Sequence, residues 1–459
     1  MDIIVAISTG TAASGIGIVR VSGEGCFALC DRVFRARNGR NFSTQKSRNM
    51  IYGEMLDEAG RVLDRGLAVR FPGPHSYTGE DSAEFHCHGS PVVLRELLSA
   101  LFAAGARQAR AGEFTQRAFL HGQLDLTQAE AVIDLIHAET AAAARNAAAQ
   151  LDGGLRRKLE PIQDTLLEIS SRFYAVVDYP DEDIEDVHPE QVAAALAASR
   201  AALEQLLSSC RRGRVLKSGV RTAIVGRPNA GKSSLLNALV GYDRAIVTDI
   251  PGTTRDTVED TAVVRDVLLR LVDTAGIHET ADAVEQLGVE RSRKAVASAD
   301  LVIAVIDGVE GPTEADQEIL QLASRAPHWI LGCSKSDLLP AGSAHMIQVP
   351  KDGGPDHCVM FSSVTPGGLA SLEDAIADLF PAGSADQTGS LLTDQRQEEA
   401  ARRAADAIGR AQAALESGLT PDAILTDAEE ALDALGELTG RCAREEIVSR
   451  IFSRFCVGK

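Results

Sequence analysis

Short apolar runs alternate with helical periodicity through the middle of the chain, from residue 221 to about residue 380. Four of these runs have the length and composition of buried strands. They are residues 223–225, 268–272, 301–306 and 329–333. Strands that alternate with helices form doubly wound, mostly parallel sheets. We therefore predict such a sheet in an α/β domain over residues 218–382.

Helical patterns lie on both sides of this segment. Thr127 and Glu130 have the spacing of a capping box at the start of a helix, and apolar residues then recur on one helical face. Strong helix formers continue this character before the α/β segment and after it. We predict one discontinuous helical domain made of residues 121–217 and 383–459, with the α/β domain inserted between its two parts.

The first 120 residues mix both kinds of pattern. Residues 16–21 and 66–71 have the composition of strands, and residues 92–104 are apolar at helical spacing. Residues 1–120 therefore predict a separate N-terminal α/β domain.

Composition and charge narrow the functional classes. The chain is 45% hydrophobic and 24% charged, as in ordinary globular proteins, and no apolar run approaches the ~18 residues that cross a bilayer. The start lacks the features of a signal peptide, so we expect a cytoplasmic protein without membrane contact. A net charge of −19 argues against broad non-specific nucleic-acid binding, but leaves room for a local basic patch or for binding shared with a partner. The chain has eight cysteines and no C-x-x-C pair, which argues against a zinc site.

A phosphate-binding loop follows the strand at residues 223–225, since residues 226–233 read Gly-Arg-Pro-Asn-Ala-Gly-Lys-Ser. Glycines let backbone N–H groups approach a phosphate, a lysine adds positive charge, and a serine hydroxyl binds Mg²⁺. Gly231, Lys232 and Ser233 supply these groups, and a helix pattern follows them. The inserted domain is therefore predicted to be a Ras-like P-loop GTPase domain.

Two later segments complete the phosphate site. Residues 273–276 read Asp-Thr-Ala-Gly directly after a strand. We expect Asp273 to reach Mg²⁺ through water and the N–H of Gly276 to meet the γ-phosphate. Residues 252–256 lie between this segment and the loop, and Thr254 is the candidate switch threonine that binds Mg²⁺.

Base recognition is expected from residues 334–337, which read Ser-Lys-Ser-Asp and resemble the guanine-reading N-K-x-D element. Asp337 can accept hydrogen bonds from the ring N–H and amino group of guanine, so GTP is favoured over ATP. Ser334 stands where asparagine is usual, and Ser362-Ser363-Val364 stands where S-A-K is usual. Both changes are expected to remove contacts and to weaken nucleotide affinity.

Hydrolysis needs a group that orients water, and in Ras-like GTPases a glutamine after the D-x-x-G element does this. Ile277 occupies that position and has no polar group. Glu285 is the candidate replacement, with an ordinary surface helix residue as the alternative reading. Asn229 is expected to help hold a monovalent cation, which would stabilise charge in the transition state together with Lys232.

Over essentially its whole length the chain resembles the MnmE (also called TrmE) family of tRNA modification GTPases. Besides the P-loop segment, five stretches carry the resemblance. They are residues 15–23, 76–81, 112–120, 124–131 and 455–459, the last reading Phe-Cys-Val-Gly-Lys.

The resemblance implies an N-terminal domain that forms a homodimer and binds 5-formyltetrahydrofolate or methylenetetrahydrofolate. It also implies a complex with FAD-dependent MnmG, as a heterotetramer or larger assembly. Together they would add a carboxymethylaminomethyl or aminomethyl group to C5 of the wobble uridine of certain tRNAs. GTP hydrolysis would be stimulated by K⁺ and by dimerisation of the GTPase domains.

The resemblance also assigns residues by motif position. The implied K⁺ ligands are Asn229, Thr248, Ile250 and Thr253, and the implied Mg²⁺ ligands are Ser233 and Thr254. Glu285 matches the residue that orients water. The implied folate contacts are Arg20, Glu84, Gln123 and Lys459, although Gln123 lacks the positive charge usual there. The full set of expected GTP contacts is Asn229, Ala230, Gly231, Lys232, Ser233, Ser234, Thr248, Asp249, Ile250, Pro251, Gly252, Thr253, Thr254, Asp273, Thr274, Ala275, Gly276, Ser334, Lys335, Ser336, Asp337, Ser362, Ser363 and Val364.

Alternatives stay open at this point. The chain could be an assembly or switch GTPase without coupled tRNA chemistry, or a folate carrier, although the last leaves the P-loop unexplained. Cys456 is either a nucleophile near the one-carbon site or a residue that only positions the C-terminal tail. His86 and His88 are read as structural residues, because no third metal ligand accompanies them.

Overall fold

The computed structural model describes residues 2–178, 188–242, 260–272, 293–340, 353–381, 389–442 and 445–458. The chain divides into two compact units. The first is made of Met1–Ile133, Leu151–Ser199 and Arg403–Lys459, and the second of Asp134–Gln150 and Arg200–Arg402. The domain boundaries expected from the sequence stay predictions.

Fourteen helices with defined bounds lie in the described ranges. They are α1 (Cys26–Cys30), α2 (Pro91–Ala103), α3 (Glu113–Leu120), α4 (Leu126–Ile136), α5 (Ala141–Leu151), α6 (Gly154–Asp178), α7 (Pro189–Ser208), α8 (Cys210–Ser218), α9 (Lys232–Tyr242), α10 (Glu314–Ala323), α11 (Ala370–Leu379), α12 (Gln395–Glu416), α13 (Pro421–Thr439) and α14 (Glu445–Phe452). Among the helices described, none combines the length and apolar character needed to cross a membrane.

The first unit contains a seven-stranded sheet. Its strands are β1 (Ile4–Ile7), β2 (Ser14–Ser22), β3 (Phe34–Ala36), β4 (Ile51–Leu56), β5 (Val62–Phe71), β6 (Ser82–Gly89) and β7 (Arg107–Gln108). The order is β3-β4-β5-β6-β2-β1-β7, and β7 alone pairs in parallel, with β1. Helices α1 and α2 cover one face over a core that includes Phe34, Phe42 and Phe85. The strands predicted at residues 16–21 and 66–71 and the helix at 92–104 are therefore confirmed.

Helix α4 begins earlier than the sequence pattern indicated. The predicted capping box at Thr127 and Glu130 is wrong, because α4 already contains both residues. The reciprocal pair is Asp125 and Gln128 instead. The Asp125 carboxylate accepts the N–H of Gln128 at 2.8 Å, and the Gln128 side-chain oxygen accepts the N–H of Asp125 at 3.0 Å. Aspartate is at least as good an N-cap as threonine, so the earlier start is favoured.

The second unit contains a six-stranded sheet in the order β13-β12-β11-β8-β10-β9. Its strands are β8 (Val220–Gly226), β9 (Asp260–Val264), β10 (Val267–Leu271), β11 (Leu301–Asp307), β12 (Trp329–Ser334) and β13 (His357–Met360). Every neighbouring pair is parallel except β9 with β10. This confirms the doubly wound, mostly parallel sheet.

Alternation along β11 explains why this sheet is buried on both faces. Leu301, Ile303 and Val305 join the core that includes α9 and α11, whereas the residues between them join the core that includes α10. All seven residues of the strand are buried. A continuous apolar run is the pattern expected of a strand covered by helices on both sides.

The turn between β9 and β10 holds two non-glycine residues with left-handed backbone, Arg265 at φ 49° and Asp266 at φ 68°. The side chain of Arg265 pairs with acidic residues of α11 at 3.1 and 3.3 Å. The carboxylate of Asp266 accepts the N–H of Ala142 in the first turn of α5 at 3.2 Å and pairs with Arg145 at 2.9 Å. Each residue of the turn is thus tied to a different helix of the second unit.

Candidate nucleotide-binding site

The carboxyl ends of β8, β11, β12 and β13 meet at one edge of the second sheet because these strands are parallel. Residues 226–233 follow β8, residues 334–337 follow β12 and residues 362–364 follow β13. Two backbone bonds join the last two loops: the N–H of Phe361 donates to the Cys333 carbonyl at 2.9 Å, and the N–H of Ser336 donates to the Phe361 carbonyl at 3.1 Å. Three segments predicted from the sequence are therefore brought together, at the edge where doubly wound sheets bind ligands.

The loop after β8 has the backbone that a phosphate cradle requires. Asn229 and Gly231 adopt positive φ values of 63° and 97°. A Cβ on Gly226 would lie 2.4 Å from the carbonyl oxygen of Val305, so only glycine fits there. Helix α9 begins at Lys232, within the last two residues of the loop, so the exposed Ser233 and Ser234 lie in its first turn.

The Lys232 ammonium is held inside this loop by backbone carbonyls. Its Nζ donates to Gly226 at 2.8 Å and to Arg227 at 2.6 Å. Burial lowers the pKa of Lys232, because it disfavours the charged form. No carboxylate contacts this ammonium among the residues that the structure describes. A half-buried cation with no carboxylate beside it in the described chain fits an anionic ligand such as a nucleotide phosphate.

Ser334 connects the predicted base-reading segment, residues 334–337, to the P-loop. Its side chain is buried, and its hydroxyl donates to the carbonyl of Ala230 at 2.7 Å, with the Ile306 carbonyl at 3.2 Å. A hydroxyl has one hydrogen, so the shorter contact is the stronger bond. Whether nucleotide affinity is weakened stays a prediction, but this serine retains a structural contact to the P-loop.

The other residues predicted to contact the base are mostly more exposed than Ser334. Asp337 lies at the surface in a short 3₁₀ turn, Ser336–Leu338, and Val364 is 75% exposed. Ser363 is half-buried. Ser362 is buried, and its hydroxyl accepts backbone N–H groups at 3.3 and 3.4 Å, which orders the loop around it.

Lys335 precedes this turn with a left-handed backbone at φ 57°, and its ammonium pairs with Asp307 at the end of β11. Burial opposes ionisation of Asp307, but hydrogen bonds from Lys335 and from two backbone N–H groups lower the pKa of its carboxyl below the ordinary value.

Sequence reasoning missed two polar residues of this edge. Arg227 lies inside the P-loop and pairs with Asp316 of α10, and Asp307 carries the pair with Lys335. The only local signal was the spacing of Thr313 and Asp316, which is that of a capping box, and the structure shows both of its hydrogen bonds.

Several predicted site residues lie outside the described ranges. They are Thr248, Asp249, Ile250, Pro251, Gly252, Thr253, Thr254, Asp273, Thr274, Ala275, Gly276, Ile277, Glu285 and Lys459. Their assigned roles therefore stay predictions.

Two of the predicted folate contacts meet on the first sheet. Arg20 of β2 faces Glu84 of β6 in register, and the two side chains bond at 2.9 Å. The guanidinium lies 5.3 Å from the ring centre of Tyr77 and 5.7 Å from that of Phe114. His86 lies 3.4 Å from Glu84.

Gln123, the third predicted folate contact, is exposed after α3, and among the described residues the Arg20 guanidinium bonds to Glu84 and not to Gln123.

The C-terminal tail is fixed in the same unit. Val457 pairs with Ala111, and the carbonyl of Cys456 accepts the N–H of Gly112 at 3.3 Å. The hydroxyl of Ser8 donates to the Gly458 carbonyl at 3.0 Å. Cys456 itself is exposed. The residue before Lys459 therefore lies against the end of β1.

A mostly parallel doubly wound sheet, a glycine-bordered loop at its carboxyl edge and a half-buried lysine held by that loop define the second unit as a P-loop nucleotide-binding domain. Sequence comparisons agree with this class. A family model described as "MnmE helical domain" matches residues 126–456, and one described as "GTP-binding protein TrmE N-terminus" matches residues 3–123.

Full-length relatives identify the family. The tRNA modification GTPase MnmE of Symbiobacterium thermophilum is 43% identical over 458 residues, covering 100% of this chain and 99% of that protein. The protein of the same name from Roseiflexus castenholzii is 42% identical, with 100% and 99% covered. The chain belongs to the MnmE family. A solved structure of an Aquifex aeolicus Era variant bound to GDP and AlF₄⁻ is 27% identical over 41% of this chain and 66% of that one, and its TM-score of 0.26 is too low to support an argument.

Proposed function

We propose that this chain is the GTP-hydrolysing subunit of a tRNA-modifying complex. In that complex it adds a carboxymethylaminomethyl or aminomethyl group to C5 of the wobble uridine, using a tetrahydrofolate one-carbon donor. The observation that carries the GTPase part is the half-buried Lys232 ammonium, held by carbonyls of a P-loop that Ser334 joins to the segment of Asp337. Membership in a family whose curated relatives are named tRNA modification GTPases supports the tRNA part.

In this proposal Lys232 binds the β- and γ-phosphates, and the N–H groups at the start of α9 bind the remaining oxygens. Ser233 and Thr254 hold Mg²⁺, which neutralises charge on the phosphate oxygens when it is bound. Asp337 accepts hydrogen bonds from guanine and thereby rejects adenine. Glu285 orients the attacking water in place of the glutamine that Ile277 replaces.

The backbone conformation of Asn229 supports a cation-binding role for this residue. Its left-handed conformation is unusual outside glycine and is held within the loop, at its exposed rim. With Thr248, Ile250 and Thr253 it would bind K⁺, which would supply the positive charge that an arginine finger supplies elsewhere.

The folate donor would bind in the first unit, around Arg20 and Glu84. A guanidinium and a carboxylate in a fixed pair, beside the rings of Tyr77 and Phe114, offer donors, acceptors and flat apolar surface. These are the groups that a planar heterocycle with polar edges requires. Lys459 would reach the same region, because Gly458 already lies against the end of β1.

The GTPase part is tested by measuring phosphate release by the purified chain with GTP and with ATP, in K⁺ and in Na⁺. We expect GTP hydrolysis that is faster in K⁺, and loss of nucleotide binding in Lys232→Met. Hydrolysis of ATP at an equal rate would refute guanine selectivity, and equal rates in both salts would refute the role of K⁺.

The tRNA part is tested by mass spectrometry of wobble uridines in a deletion strain, with and without the wild-type chain. A partner assay uses the purified chain with a flavoprotein of the MnmG type, and light scattering reports whether the chain is a homodimer. Unchanged uridines in the deletion strain would favour the alternative, an assembly or switch GTPase without coupled tRNA chemistry.

A further inference from the structure

An ion pair joins the P-loop to helix α10. The Nε of Arg227 donates to one carboxylate oxygen of Asp316 at 2.8 Å, and a guanidinium nitrogen lies 3.3 Å from Glu310. Asp316 is almost completely buried, with 1% of its surface exposed. A buried carboxylate with a well-aligned arginine is a strong and directional contact.

Asp316 is itself held rigidly. Its second carboxylate oxygen accepts both the N–H and the hydroxyl of Thr313 at 2.8 Å, which closes the capping box at the start of α10. Both oxygens are therefore used, one for the helix cap and one for Arg227. The carboxylate cannot turn without breaking the cap, so it is a fixed anchor for the arginine.

The backbone of Arg227 leads from this anchor to the phosphate-binding lysine. Its carbonyl accepts the Lys232 ammonium at 2.6 Å, which is shorter than the 2.8 Å bond from the same ammonium to Gly226. The same carbonyl accepts the N–H of Ala230 at 3.3 Å. One residue thus connects α10, through its side chain, to the lysine, through its main chain.

We propose that Arg227 and Asp316 are positioning residues that fix the P-loop so that the Lys232 ammonium faces the nucleotide phosphates. A lysine has a flexible four-carbon stem, so its ammonium needs fixed acceptors to hold one direction. Gly226 is fixed by its approach to β11, whereas Arg227 lies beyond the strand and depends on its side chain. This inference rests on the proposed function, since it assigns a role within the same nucleotide site.

A double-mutant cycle tests the proposal. The variants are Arg227→Met, Asp316→Asn and their combination, and Arg227→Lys is the conservative replacement. The control is Arg221→Met, which lies at the other end of β8 and pairs with Asp300 at 3.6 Å, both side chains being exposed. Affinity is measured by fluorescence titration with labelled GTP and labelled ATP, and thermal unfolding is followed in parallel.

We expect about tenfold weaker nucleotide binding in each single variant. This loss lies in the middle of the range of interaction energies measured between residues in contact. The double variant should bind nucleotide about as tightly as the single variant with the lower affinity, because both substitutions break the same contact. Arg227→Lys should recover part of the affinity, and Arg221→Met should bind as the wild type does. If Asp316→Asn does not fold, the nucleotide affinities of Arg227→Met and Arg227→Lys are compared instead. Equal affinities would then overturn the proposal, and a higher affinity in Arg227→Lys would support it.

A lower unfolding temperature with wild-type affinity in both single variants would overturn the proposal, since the pair would then be only structural. Additive losses in the double variant would overturn it as well. A wild-type chain that binds neither nucleotide would refute the proposed function together with this inference. Preference for ATP would refute only the guanine assignment, and the cycle would then be read with ATP.

Discussion

The hydroxyl of Ser334 is predicted to contribute to both stability and nucleotide binding. Ser334→Ala removes its bond to the Ala230 carbonyl, which is 2.7 Å long and lies between buried residues. Loss of a buried hydrogen bond that leaves one partner unsatisfied costs about 1–3 kcal/mol. We therefore expect the free energy of unfolding to fall by about 1–3 kcal/mol.

The same bond joins the P-loop to the segment predicted to read the base, so nucleotide affinity should fall as well. If about 1.4 kcal/mol of the loss appears in binding, the dissociation constant for GTP rises about tenfold. Urea unfolding measures the first effect, and fluorescence titration with labelled GTP measures the second. Ser334→Asn should bind GTP more tightly than the wild type, since asparagine adds the contacts that this serine lacks.

The matched control is Ser218→Ala, which removes an exposed hydroxyl that donates to the Arg214 carbonyl at 2.7 Å. This change should alter stability by only a few tenths of a kcal/mol, as is usual for exposed positions. If Ser334→Ala matched that control in both stability and affinity, the structural role of the hydroxyl would be refuted.

Three further predictions concern other parts of the chain. Burial opposes ionisation of Glu113, but hydrogen bonds from Arg107 lower its pKa to about 2. The ionised carboxylate therefore stabilises the fold fully above about pH 4.5, and this stabilisation is lost as pH falls toward 2. Urea unfolding between pH 7 and pH 3 should show the loss, and a Glu113→Gln variant with the same pH dependence would contradict it. Arg20→Met should weaken binding of 5-formyltetrahydrofolate in calorimetry and leave GTP binding unchanged; equal folate affinity would remove Arg20 from the site. Asp266→Ala removes the carboxylate that accepts the Ala142 N–H in the first turn of α5, and should lower the free energy of unfolding by about 0.5–2 kcal/mol. An unchanged urea midpoint would show that this contact contributes nothing.

The architecture was accessible from the sequence because its strands and loops carry strong local signals. The continuous apolar run of β11 predicts a buried strand. The glycines at residues 226 and 231 predict the tight loop that follows β8. The start of α4 was placed too late, because Asp125 and Thr127 are both good caps and local pattern alone does not choose between them.

The contacts that shape the site were not accessible in the same way. Arg227 and Asp316 are separated by 89 residues, and Ser334 and Ala230 by 104. Such pairs meet only because parallel strands bring their carboxyl ends to one edge, and no local period records which side chains will touch. The sequence therefore predicted the groups expected to contact phosphate, and missed the distant side chains that bond to the P-loop.

The turn between β9 and β10 limits how far the stability of this region can be raised by design, because backbone strain and side-chain contacts fall on the same two residues. Glycine at residue 265 or 266 would relieve left-handed strain, which for an ordinary residue is on the order of 1 kcal/mol. The same change would delete the charged side chain that ties the hairpin to α11 or to α5. A substitution that relieves the backbone strain would thus remove the contacts between the hairpin and its neighbouring helices. At these two positions, a variant with less backbone strain would also have fewer contacts between the hairpin and helices α11 and α5.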